Sequence, residues 1–276
     1  MGITTTLAGR KEKELSELSR DTTENTRSSS KKNRRRQRKN MLRIHRLFDT
    51  CNEVFSHCGP NIIPSPHDVE RLRTVLDGIR PEDLELNPDM PYFKKKAERY
   101  PAITYLHLFE SKKFSMGIFC FPPSGVIPLH NHPGMTVFSK ILFGTLHIKS
   151  YDWINDVPST ISVAQAEPRS ARLAKMKVNS NFTAPCNTSI LYPTDGGNMH
   201  CFTALTACAV LDVLGPPYSD PDGRHCTYYS DYPISSLSVS EEEREGYAWL
   251  EETEKPDEFA VVGALYRGPD PVVVDD

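Results

Sequence analysis

Two histidines one residue apart, His130 and His132, sit in the stretch Gly125–Gly144, which otherwise reads as extended chain. Residues i and i+2 of a strand share a face, so both imidazoles project together. His-x-His also occurs in ordinary strands, and its surroundings sharpen it. Pro128 and Asn131-His132-Pro133-Gly134 place the pair at a turn-rich strand edge, within reach of a cation. Beyond Ala102 the chain is dense in β-forming runs: Phe114–Phe121, Thr136–Tyr151, Ala171–Val178, Ser189–Tyr192 and Cys201–Leu214. Gly, Pro, Asn and Asp separate them. Strands this short and this close predict a small antiparallel barrel or double-sheet jelly roll over about residues 102–233. Ligands on such a wall face inward and are held rigid.

The pattern resembles the first cupin motif: a glycine, His-x-His, usually a glutamate, then a second glycine, here Gly144. Thr136 and Val137 stand where the glutamate would fall. A second, degenerate half-motif follows in Pro193–His200, and its Gly197-x-x-His200 offers a third imidazole. Three histidines without a carboxylate resemble the ligand set of the thiol dioxygenase branch of cupins, whereas most mononuclear iron oxygenases use two histidines and a carboxylate. The fold class implied is mainly β, a cupin-type double-stranded β-helix with N-terminal helices.

The rest of the chain divides around that barrel. Residues 1–40 are almost free of large apolar side chains and are expected to be disordered. Twelve Lys/Arg against five Asp/Glu give this arm +7; with −3 for the whole chain, the remainder carries −10. Seven of the nine residues Lys31–Lys39 are basic, which favours an address tag for the nucleus over a nucleic-acid surface. No leucine heptad follows that would make it a basic-helix DNA reader. Met1–Thr6 matches the myristoylation pattern, which a Thr-rich start also matches by chance. From Met41, Ile44, Leu47, Phe48, Cys51, Val54 and Phe55 recur at helical spacing up to Gly59-Pro60. Ser65-Pro66-His67-Asp68 reads as a second helix start, with Val69, Leu72, Val75, Leu76 and Ile79 as its stripe. Residues 41–80 are thus a helical lead-in, 80–101 a long connecting loop, and 234–276 a C-terminal extension. No apolar run approaches the ~18 residues needed to cross a bilayer. Seven cysteines without paired spacing fit free thiols in a reducing compartment. Asn181-Phe-Thr183 and Asn187-Thr-Ser189 match glycosylation acceptors and are expected to be inert. An intracellular monomer of nucleus and cytoplasm, without membrane or direct nucleic-acid contact, is the expectation.

Pro128–Met135, Asp212–Tyr218 and Cys226–Pro233 together resemble the plant cysteine oxidases, whose animal relative is cysteamine dioxygenase. The resemblance spans roughly residues 41–266. It implies that His130, His132 and His200 bind one Fe(II), and that O₂ is the co-substrate with no 2-oxoglutarate. Asp212 matches an acidic residue near the substrate end of the pocket, and Tyr218 a tyrosine at its mouth. Cys226 and Tyr228 match a pair that can become cross-linked in the animal relative. The implied substrates are proteins with an N-terminal Cys, such as ethylene-response transcription factors. Their oxidation to the sulfinic acid marks them for arginylation and degradation, in response to oxygen.

The residues make chemical sense of this. Three neutral imidazoles leave a dication its full charge and an open face, at which a thiolate can form and bind. Other readings stay open. Asp212 could instead orient a ligand histidine. The substrate could be a small thiol, cysteine or cysteamine, or the chain a cupin holding a metal for structure alone. His45, His57, His67, His107 and His147 read as ordinary helix or strand residues, and His225 has no matched role. Cys51, Cys58, Cys120, Cys186, Cys201 and Cys208 read as small buried hydrophobes.

Overall fold

The structure is a computed structural model that describes residues 42–94, 101–156, 169–234 and 245–272. The arm 1–40, with its basic run and acylation pattern, lies outside the described residues. Helix α1 (Arg43–Phe55) buries Ile44, Leu47, Cys51, Val54 and Phe55, the stripe its spacing predicts. Helix α2 (Pro66–Asp77) starts as read: the Ser65 hydroxyl accepts from Asp68 N at 3.2 Å, and Pro66 fills the first turn, where an amide hydrogen would be unused. Among the described residues no helix is long and apolar enough to cross a membrane.

Twelve strands follow among the described residues: β1 (Ile103–Glu110), β2 (Ser115–Phe121), β3 (Val126–His130), β4 (Thr136–Phe143), β5 (Thr145–Trp153), β6 (Arg172–Thr183), β7 (Ser189–Leu191), β8 (Met199–Ala204), β9 (Cys208–Gly215), β10 (Tyr228–Pro233), β11 (Tyr247–Thr253) and β12 (Val261–Ala264). They form two six-stranded sheets, ordered β12-β1-β2-β9-β4-β7 and β10-β11-β6-β5-β8-β3. The second closes on itself where Tyr228 pairs with His130. This is the double-stranded β-helix that the sequence predicts.

Strands β4 and β9 are buried along almost their whole length because both of their faces are covered. Phe138, Leu142, Ala209, Leu211 and Val213 pack outward with the two helices. Ile141 and Val210 point inward, against Ile127, Ile148 and Phe202 of the other sheet. Ser139 and Asp212, in register with each other, are polar positions within these buried strands. Gly144 turns β4 into β5 at φ +87°, and a Cβ there would lie 2.1 Å from the Ala207 carbonyl oxygen. Both facts demand the glycine that the motif carries.

Two stretches differ from the sequence reading. The segment read as a connecting loop over 80–101 holds two 3₁₀ turns, Pro81–Leu84 and Pro91–Phe93, and buries Leu84, Leu86 and Phe93 under the helices. The residues read as a C-terminal extension belong to the sheets. β11 lies between β10 and β6, and β12 runs parallel to β1 at the edge of the other sheet. Ala248, Trp249 and Leu250 of β11 are buried. Its acidic neighbours hid this strand, since only the short Tyr-Ala-Trp-Leu run carries a β pattern.

Candidate metal centre

The ligand-bearing segments meet because β3 and β8 are neighbours. His130 ends β3 and is in register with His200 on β8, past an irregularity that follows Ile127. His132 stands in the turn beyond. All three are buried, their ligand atoms lie within 4.8 Å of one another, and their ring centroids are 4.8–4.9 Å apart. Among the described residues this is the only such group, and no carboxylate belongs to it.

Hydrogen bonds decide which nitrogens are free. His130 Nδ1 lies 2.8 Å from the Pro128 carbonyl oxygen, which can only accept, so Nδ1 carries the proton and Nε2 is bare. The Tyr218 hydroxyl donates its one hydrogen to the Asn131 carbonyl oxygen at 2.7 Å. It must therefore accept from His132 Nδ1, 2.9 Å away, and this leaves His132 Nε2 bare as well. That atom faces His200 Nε2 at 3.1 Å. Burial holds His130 down to about 4, and burial with mutual repulsion holds His132 and His200 well below the usual histidine range. Three convergent, neutral imidazoles, two of them with a bare Nε2, are a fit for a metal dication.

The backbone around these ligands is bolted by residues that no motif signals. Asn198 pairs its amide with the His132 peptide in both directions, accepting from His132 N at 3.1 Å and donating to His132 O at 2.9 Å. The buried Asp152 carboxylate accepts from Gly197 N at 3.0 Å and Asn198 N at 2.8 Å. Gly197 needs to be glycine: its φ is +86°, and a Cβ would meet Ser150 Oγ at 2.4 Å. Two ligand segments far apart in sequence are thus fixed to each other before any ion arrives.

The remaining sequence-predicted residues flank the triad. Cys226 is in hydrogen-bond contact with the hydroxyls of Tyr228 and Tyr218, and burial raises all three of their pKa values. The Tyr228 ring is 6.4 Å from His130. A cavity of ≈ 50 Å³ touches His200, Ser139, Ser150 and Phe202 between the sheets. Asp212 is buried, bonded to Ser139, and its Oδ1 has no partner. Among the described residues it bonds none of the three histidines, so it does not orient them. His147 is held by Asn179 and Asn181, away from the triad. All seven cysteines are unpaired. Cys186 and Cys201 are only partly buried, a correction to their reading as core residues.

Burial pushes the Asp212 carboxyl up to about 7, against the pull of Ser139. The folded chain therefore holds a proton there that the unfolded chain, with its usual carboxylate near ~3.9, has lost. Asp212 by itself is thus expected to lower the stability of the metal-free protein as pH rises from about 4 to about 7, by on the order of a few kcal/mol. The three histidines act with the opposite sign: their depressed pKa values add stability as pH rises through the same window. Urea denaturation at several pH values checks this. Asp212→Asn should make stability rise more steeply with pH than in the wild type, and an unchanged slope in the variant would refute it.

The comparisons with known proteins point the same way. The family model PCO_ADO matches residues 75–271. Plant cysteine oxidase 2 of Arabidopsis thaliana is 56% identical, covering 98% of this chain and 99% of its own length. Plant cysteine oxidase 1 of the same organism is 61% identical over 82% of this chain and 79% of its own. The 2-aminoethanethiol dioxygenase of Homo sapiens is 32% identical over 74% of this chain and 81% of its own.

Proposed function

Because the chain belongs to the PCO_ADO family of thiol dioxygenases, we propose that it oxidises the N-terminal cysteine of regulatory proteins to the sulfinic acid, using Fe(II) and O₂. The observation that carries this reading is the trio of convergent, neutral imidazoles, two of them with a bare Nε2, and no carboxylate among them. His130, His132 and His200 would hold Fe(II), whose positive charge would favour a bound thiolate and whose redox chemistry would engage O₂.

The chain's own residues supply position and protons. Pro128 and Tyr218 hold two of the imidazoles in the ligating tautomer. Asp212, poised near neutral pH with one free oxygen, can take a proton from the substrate or hold its amine. Cys226, Tyr218 and Tyr228 form a polar edge against the histidines. Both oxygen atoms end on sulfur, the second rung of thiol oxidation, and the thiolate provides the electrons, so no 2-oxoglutarate is required.

A free N-terminal cysteine offers both a thiolate and an α-amine. Acetylating that amine, or moving the cysteine one residue inward, is expected to remove most turnover of a Cys-initiated peptide. The measurement is intact mass after incubation in air, with both added oxygens labelled from ¹⁸O₂. Equal rates for the acetylated and free peptides would rule the substrate out. The second reading, a small-thiol dioxygenase, is favoured by the name of the human relative. It predicts a higher kcat/KM for 2-aminoethanethiol than for the peptide. A saturated zinc centre without turnover would instead support a structural metal.

In the cell such an enzyme would mark ethylene-response regulators and similar partners for arginylation-dependent degradation when oxygen is present. We assign the basic run Lys31–Lys39 to nuclear import, with the remainder of the pool in the cytoplasm. Neutralising its seven basic residues is expected to move a fluorescent fusion toward the cytoplasm and leave peptide kinetics unchanged. Salt-dependent loss of turnover with unchanged localisation would assign the run to substrate recruitment instead, since exposed charges act over about 8 Å at physiological salt.

A further inference from the structure

Asn131 lies between two of the metal ligands, yet it spends all of its polar groups elsewhere. Its backbone N donates to the Thr227 carbonyl oxygen at 3.1 Å. Its carbonyl oxygen accepts from the Tyr218 hydroxyl at 2.7 Å. Its side-chain Oδ1 accepts from Thr227 N at 2.9 Å, and Nδ2 donates to the Tyr229 hydroxyl at 3.3 Å. Every one of these partners falls in a single segment, Tyr218–Tyr229.

That segment closes on itself between its two tied ends. Ser219 and Arg224 exchange backbone hydrogen bonds at 2.9 and 3.0 Å around the 3₁₀ turn Asp220–Asp222, and Arg224 Nε reaches back to the Pro217 carbonyl oxygen at 3.3 Å. The turn itself is exposed, and none of its residues is buried. Its placement over the histidines therefore depends on its two ends. Asn131 ties both ends: the start through Tyr218, which His132 also contacts, and the end through Thr227 and Tyr229, where the β10–β11 pairing begins.

We propose that Asn131 is a positioning residue: it buckles Tyr218–Tyr229 onto the metal-ligand turn and so sets where Tyr218, Cys226 and Tyr228 stand over the histidines. Nothing in the His-x-His pattern requires an amide at the middle position. In an extended segment that side chain points away from its neighbours' face, and here it points at the segment it holds. Alanine would keep both backbone bonds and lose both side-chain bonds. Aspartate would keep an oxygen for Thr227 N–H and offer another to the Tyr229 hydroxyl, which can turn to donate.

The test uses the full-length, iron-loaded protein and reads the segment directly. Two probes report on it: hydrogen exchange at the Thr227 amide, and the rate of tryptic cleavage after Arg224. Asn131→Ala is expected to speed both at least tenfold while metal content stays stoichiometric. The kcat/KM for a Cys-initiated peptide should fall by about 10–100-fold, the usual cost of losing a residue that orients a metal site. Asn131→Asp is expected to restore both probes and turnover. The proposal is overturned if Asn131→Ala leaves both probes at the wild-type rate, if it loses metal in proportion to activity, or if Asn131→Asp is as impaired as the alanine variant. Should Asn131→Ala not fold, Tyr229→Phe removes one partner and is expected to speed both probes at least twofold; unchanged rates would overturn the idea equally. Only the turnover arm rests on the thiol dioxygenase reading. If that reading fails, the wild type shows no peptide oxidation while the segment still responds to Asn131.

Discussion

Replacing any one of His130, His132 and His200 with alanine is expected to abolish turnover and sharply lower bound iron, as read by metal analysis of the purified protein. The three ligand atoms lie within 4.8 Å of one another in a buried site with no carboxylate to substitute for a lost imidazole. His132→Ala carries a second cost, because it also removes the acceptor's partner from Tyr218. The fold should survive each change, since Asn198, Asp152 and the β3–β8 pairing hold the local backbone without an ion. Stoichiometric iron with full activity in a triple variant would overturn the assignment. Loss of iron with a normal urea transition is the expected pattern.

Removing the chain beyond residue 234 is expected to prevent folding. The cut deletes β11, which joins β10 to β6 and completes the closed sheet. Without it, two strands are left with unpaired edges and the Leu129–Tyr151–Met199 cluster loses Ala248 and Leu250. The milder variant Trp249→Ala removes a side chain that is 3% exposed and is expected to cost about 3–5 kcal/mol. Circular dichroism of the truncated protein and denaturant titration of the point variant check the two. A truncated protein with a cooperative transition would show that β11 is dispensable.

The two results bear differently on what was legible in advance. The helix starts, the β density and the three histidines could be read because each is a local signal: a cap, a period, a spacing. Ser65-Pro66 sets a helix start within four residues, and His-x-His places two imidazoles on one face within three. The missing glutamate could be read too, and with it the kind of metal chemistry available. Strand β11 was not legible, since its short apolar run sits among Glu residues and its burial comes from strands about seventy residues earlier in the chain.

The same division holds inside the site. The sequence by itself pointed to His130, His132 and His200, to the motif glycines Gly144 and Gly197, and to the want of an acidic residue beside them, because these follow from residue type and spacing. Only the tertiary structure decided which nitrogen of His130 and of His132 is free, that Asp212 is bonded to Ser139 and not to a histidine, that Asp152 and Asn198 hold the histidine-bearing segments together, and that Asn131 reaches Thr227. The physical reason is that a hydrogen bond between residues 45, 66 or 96 positions apart leaves no periodic trace in either partner. An asparagine in a turn looks the same in sequence whether it faces water or clamps a metal ligand, and only the packing of two sheets brings its partner to 3 Å.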